Sequence, residues 1–191
     1  MFDFESVDSW SANFKLAANS IRASDIRPEL DVHQIAAPKD LAANGLAVHA
    51  NVLSEFEPNG DPGEGRLVFL RDNKDVEAWG GNSRVICFIK ASIEAHIGDD
   101  ERLAEIAWAW MSDALRQRGA EYFAEAGTAT RIHSTGFGAL ASDPDHAEIE
   151  IRASWSPVGD NLRPHLEAWQ DLICMVAGLP HLPEGVASID R

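Results

Sequence analysis

Glu148-Ile149-Glu150-Ile151-Arg152-Ala153-Ser154-Trp155 is the stretch on which the architecture turns. Ile149, Ile151, Ala153 and Trp155 alternate with Glu148, Glu150, Arg152 and Ser154, the period of a strand with one packed face. Its other face meets water or a polar partner. Just upstream, residues 121–134 hold Thr128, Thr130 and Ile132 alternating with Ala129, Arg131 and His133, a second strand after the Ala126-Gly127 break. Gly136-Phe137-Gly138 and Asp143-Pro144 supply the turn between the two.

Downstream, a helix starts near Asp160 with Pro164 in its first turn and stops at Gly178-Leu179-Pro180. Leu162, Leu166, Trp169, Ile173 and Val176 line one side of it. Residues 99–118 form another helix, with Asp99, Asp100 and Glu101 at the positive end of its dipole, Arg116 and Arg118 in its last turn and Gly119 as the cap. This helix carries two apolar stripes about 100 degrees apart. One runs through Leu103, Ile106, Ala107, Trp110 and Ala114, the other through Ala104, Trp108, Met111 and Leu115. A helix lying on a sheet needs one stripe, so the second faces another helix of the chain or a second subunit.

Toward the N-terminus, residues 84–93 form a strand rich in β-branched and aromatic side chains, bounded by Gly80-Gly81 and Gly98. Residues 66–71, with Leu67 to Leu70 unbroken, form a strand covered on both faces, and residues 45–55 alternate around Leu46, Val48, Ala50 and Val52. Residues 57–65, acidic and rich in glycine and proline, form a long mobile hairpin loop. Residues 29–44 form an irregular connection. An opening helix places Val7, Trp10, Phe14, Ala17 and Ile21 on one face and ends at Arg27-Pro28. The order is helix, three strands, helix, two strands, helix. Short turns favour antiparallel pairing, so the expectation is an α+β fold, a five-stranded antiparallel sheet with helices packed on one face. Residues 1–191 form a single domain, its core spanning about residues 5–178 and its tail, 179–191, irregular.

A chain of 191 residues buries roughly 70% of the surface of its unfolded form and needs no staples. Its net charge of -15 repels phosphate backbones and anionic lipid, which argues against nucleic acid and membrane as partners. Cys87 and Cys174 stand in apolar contexts that suit buried thiols in a reducing compartment, and the acidic N-terminus does not resemble a signal peptide. A soluble cytoplasmic protein is expected.

None of the seven histidines has a zinc-holding spacing, no serine sits in a nucleophile elbow, and the glycine clusters lack the strand-to-helix context of a phosphate cradle. No metal, cofactor or catalytic residue is expected. Two candidate surfaces remain. Trp108, Met111 and Leu115 on the second stripe offer a hydrophobic partner-binding patch, or simply pack between two layers. Arg131, His133, Glu148, Glu150 and Arg152 offer a ligand-binding site on the polar face of the last two strands, or pair across strands for about 0.2–1 kcal/mol each.

Several phrases together resemble one family: Arg27-Pro28-Glu29, Gly65-Arg66-Leu67-Val68, Ala107-Trp108-Ala109-Trp110, Arg152-Ala153-Ser154-Trp155-Ser156-Pro157, and His165-Leu166-Glu167-Ala168-Trp169 running to Pro180. They are similar to the uncharacterised actinobacterial family catalogued as domain of unknown function three thousand, over about residues 26–186. The resemblance implies a bacterial cytoplasmic protein of one domain and brings no reaction or site. The element order also looks like that of type III secretion chaperones, which implies a pairing surface and client peptide laid over the sheet. The first expectation is thus a non-enzymatic protein-binding or chaperone-like module whose partner is itself, as a homodimer, or another protein. The alternative is a small-ligand-binding protein or enzyme using the polar sheet face.

Overall fold

The computed structural model describes residues 10–56, 63–142 and 145–179. The Ser11 side chain accepts the Phe14 N–H and caps α1, Ala12–Arg22. Val7 of the expected first helix, most of the 57–65 loop, the Asp143-Pro144 turn and most of the tail lie outside the described residues.

Four strands follow: β1, Leu30–Ile35; β2, Asn44–Val52; β3, Glu64–Val76; and β4, Gly81–Ile93. A helical turn, α2, Ala95–Gly98, leads into α3, Leu103–Gln117. The chain continues through β5, Tyr122–Ser134, and β6, His146–Pro157, to α4, Arg163–Val176. All six strands form one sheet in the order β1-β2-β3-β4-β6-β5, every neighbouring pair antiparallel.

The antiparallel α+β expectation holds, with one correction: the sheet has six strands, not five. β1 falls in the stretch expected to be irregular. It is an edge strand with a single neighbour, and Asp31, His33 and Gln34 dilute its alternation, leaving Leu30 as its one buried residue. α3 also begins later than expected. Asp100 accepts the Arg102 N–H and makes a turn of residues 99–102, so the acidic run precedes the helix. The other end is as expected, with Gly119 at φ 67° and the Ala120 N–H returning to the Leu115 carbonyl.

Helices cover one face of the sheet. Leu46, Val48, Ala50, Leu67, Phe69, Val85, Cys87, Ile89, Ile149, Ile151 and Trp155 are buried against them. α4 lies at the centre and is buried at every residue from His165 to Cys174. It comes so close to β3 that a Cβ on Gly65 would fall 2.5 Å from Ile173 Cδ1 and 3.0 Å from Trp169 Cζ2. The polar side of α4 is covered too, by the segment after α1 and by the end of α3. Arg27 reaches Glu29 at 2.8 Å and Asp171 at 3.2 Å, Arg118 also holds Asp171, and Gln170 accepts the Arg27 N–H. Among the described residues, no helix lies on the opposite face of the sheet.

Candidate functional site

Register across the sheet composes a surface that no single strand displays. On the helix-free face, Thr128 of β5 stands opposite Arg152, Arg152 opposite Phe88, Phe88 opposite Arg66, Arg66 opposite His49, and His49 opposite His33. One line of side chains therefore crosses all six strands, with two arginines, two histidines and an aromatic ring in succession. The Cζ atoms of Arg152 and Arg66 lie 5.3 and 5.9 Å from the centroid of the Phe88 ring, one from each side. Such contacts hold a guanidinium flat against a ring while leaving its outer edge open. The His33 and His49 rings meet at 5.3 Å.

The neighbouring line carries the counter-charges. Thr130, Glu150, Lys90, Glu64, Asn51 and Asp31 follow one another from edge to edge. Arg152 Nε donates to Glu150 at 2.6 Å, Lys90 Nζ pairs with Glu148 at 2.7 Å, and His49 Nε2 lies 3.1 Å from Glu64. Partial burial pushes the Glu148 carboxyl up, but the hydrogen bonds and charges of Lys90 and His146 outweigh it and hold the group below its ordinary range. The bond to Glu150 raises the Arg152 guanidinium further. Arg66 has no ion pair among the described residues, and it is exposed.

Of the five residues expected to form a ligand site, Glu148, Glu150 and Arg152 come together on this face. Arg131 and His133 do not join them. They pair with Ile149 and Ala147 and so point to the helix-covered side. There Arg131 Nη1 donates to the Asp100 carbonyl at 2.7 Å, and His133 Nδ1 lies 3.2 Å from Asp99. The period of two separates odd from even positions along β5, and a set that mixes them spans both faces. Arg66, Phe88, His49 and His33 take the vacated places. In sequence, the alternation of residues 45–55 sets His49 opposite the apolar side of Leu46, Val48, Ala50 and Val52, whereas Arg66, Phe88 and His33 join it only once strand order is known.

The expected partner patch is divided as well. Met111 and Leu115 are buried in the core that α3 shares with α4 and the sheet, so half of the second stripe is satisfied within the chain, while Ala104 stays partly exposed. Trp108 is half-buried and rests on the β5 backbone, its Cζ3 2.8 Å from where a Cβ on Gly127 would stand.

A cavity of about 390 Å³ opens beside the start of β4, lined by Arg71, Ser83, Phe123 and Asp160 among others. Arg71 spends its donors there on Ser83 Oγ at 2.8 Å, the Asn13 carbonyl at 3.1 Å and Asp160 at 2.7 Å, which makes it a tie between elements. No group of three or more possible metal ligands occurs among the described residues. Burial pushes the Cys87 thiol far up and the Cys174 thiol up to about 12, so neither is a thiolate at neutral pH. No described helix is long and apolar enough to cross a membrane.

Among known proteins, the model of the family described as Protein of unknown function (DUF3000) matches residues 10–187. No curated protein and no solved structure matches the chain. The likeness to secretion chaperones therefore rests on element order alone, and that order has gained a strand.

Proposed function

As a member of the DUF3000 family, the chain comes with no assigned reaction, and we propose that it is a non-enzymatic protein-binding module. Its helix-free sheet face takes an extended, carboxylate-bearing segment of another protein. One observation carries this reading: the line Arg152, Phe88, Arg66, His49, His33 sets two guanidinium groups, two imidazoles and a ring side by side on an open face of a chain whose net charge is -15. The guanidinium groups of Arg66 and Arg152 stand over one ring with donors of the geometry that carboxylates match, Arg152 spending its Nε on Glu150 and keeping its terminal nitrogens. The flanking line of Glu150, Lys90 and Glu64 sets the register of a bound segment by repelling carboxylates placed one row away. The buried free thiols suit a reducing, cytoplasmic setting.

The same reading includes self-association as a homodimer, supported by the exposed edge of the sheet at β5.

An array of fifteen-residue synthetic peptides, with aspartate pairs at graded spacings against neutral controls, tests the client face. The wild-type protein should retain a spacing-dependent subset, and Arg66→Ala/Arg152→Ala should lose that subset while keeping its fold by circular dichroism. Equal retention of neutral and acidic peptides, or no effect of the double substitution, would contradict the assignment.

A further inference from the structure

The two edges of the sheet are built differently. β1 is six residues long and carries Asp31 and His33, charged and titratable groups of the kind that guard an edge against pairing. β5 is thirteen residues long, pairs with β6 alone among the described residues, and is exposed along nearly its whole length. Between Glu125 and Arg131 it reads Ala126-Gly127-Thr128-Ala129-Thr130, with no charge and no proline. A bulge between Phe123 and Ala126, with Ala124 at φ 52°, marks one end of this unguarded stretch.

We infer that β5 pairs antiparallel with β5 of a second copy about a two-fold axis at Thr128, joining two six-stranded sheets edge to edge. The inference rests on the homodimer reading above and is independent of the client face. The sequence of the edge is complementary to itself in that register. Thr128 meets its own counterpart, Gly127 meets Ala129, Ala126 meets Thr130, and Glu125 meets Arg131 in both directions. Opposed residues across a two-fold have numbers summing to twice the centre, so only a centre at 128 sets Glu125 against Arg131. Slippage by one residue removes both ion pairs and, on a pleated strand, sends side chains to the wrong face. The half-buried Trp108 rests on Gly127, one residue from the proposed axis.

Light scattering and sedimentation at tens of micromolar, together with two kinds of variant, test this. The wild-type protein should be a dimer. Arg131→Glu should raise the dimer dissociation constant about tenfold, as two cross-strand attractions become repulsions. The swap Glu125→Arg/Arg131→Glu should restore it, which a merely structural role of Arg131 against the Asp100 carbonyl would not allow. Thr128→Cys should form a disulfide-linked dimer under mild oxidant, whereas Thr130→Cys, set opposite Ala126, should not. Cys87 and Cys174 are buried and stay silent. A monomeric wild-type protein overturns both this inference and the homodimer reading. A wild-type dimer that neither cross-links at position 128 nor responds to the charge swap overturns the β5 interface alone.

Discussion

Trp155 of β6 donates its indole N–H to Nδ1 of His165 on α4 at 3.0 Å, the two rings lying at 28° to each other with centroids 6.2 Å apart. That bond fixes His165 as a neutral acceptor inside the core, and burial lowers its pKa from 6.5 to about 4. The unfolded chain therefore takes up a proton that the folded chain refuses. Stability from this group is complete above pH 6.5 and is lost as pH falls toward 4, by ~3 kcal/mol. Urea denaturation at pH 7 and pH 4 should show that much more acid sensitivity in the wild type than in His165→Gln, which keeps an acceptor and does not titrate.

Arg27 is buried between Glu29 and Asp171 and has two carboxylate partners. Burial pushes the Glu29 carboxyl up, but the hydrogen bond and charge of Arg27 outweigh that effect and bring it below its ordinary range. Glu29 therefore stabilises the fold above the carboxylate range and loses that contribution as pH falls through its folded pKa. Arg27→Met leaves Glu29 buried and unpaired and should cost ~3 kcal/mol or more by denaturant titration at pH 7. Arg116→Met, where the exposed pair with Asp113 is lost, should change stability little.

Gly65 lets α4 approach the sheet, and the atoms it would strike are Ile173 Cδ1 and Cγ1 and Trp169 Cζ2. Gly65→Ala should cost ~1–3 kcal/mol through overpacking. Adding Ile173→Val, which removes the Cδ1 methyl, should recover part of that loss. Additive losses in the double variant, measured by thermal melting, would place the strain elsewhere.

These sites differ in how far the sequence exposes them. The alternation from Glu148 to Trp155 is clean because β6 is paired on both sides and has a fully buried face, with Ile149, Ile151 and Trp155 each at most 1% exposed. Helix α4 is legible from Pro164 and Gly178 because caps are local chemistry. β1 is hidden because an edge strand buries too little to keep a hydrophobic period. The candidate surface is harder still. Arg66 and Arg152 are 86 residues apart in sequence and meet over Phe88 through strand order, which turn chemistry does not encode. The second stripe of α3 did signal a second layer, and α4 is that layer; Ala104 and Trp108 of that stripe stay partly exposed.

The open face also makes a claim about its ring. Phe88 is the platform for both guanidinium groups, so Phe88→Leu should preserve the fold while weakening retention of the acidic peptides by about fivefold, the loss of roughly 1 kcal/mol of cation–π pre-organisation. Fluorescence anisotropy with one labelled peptide from the array reads this directly.

Photo-crosslinking in the native cell tests the central claim most directly, with a photoreactive residue placed at Arg66 on the open face and, separately, at Gln117 on the exposed end of α3. The account expects one discrete adduct from position 66, lost when Arg152 is changed to Glu, and no such adduct from position 117. The same adduct from both positions, or an adduct from position 66 that survives Arg152→Glu, would contradict it.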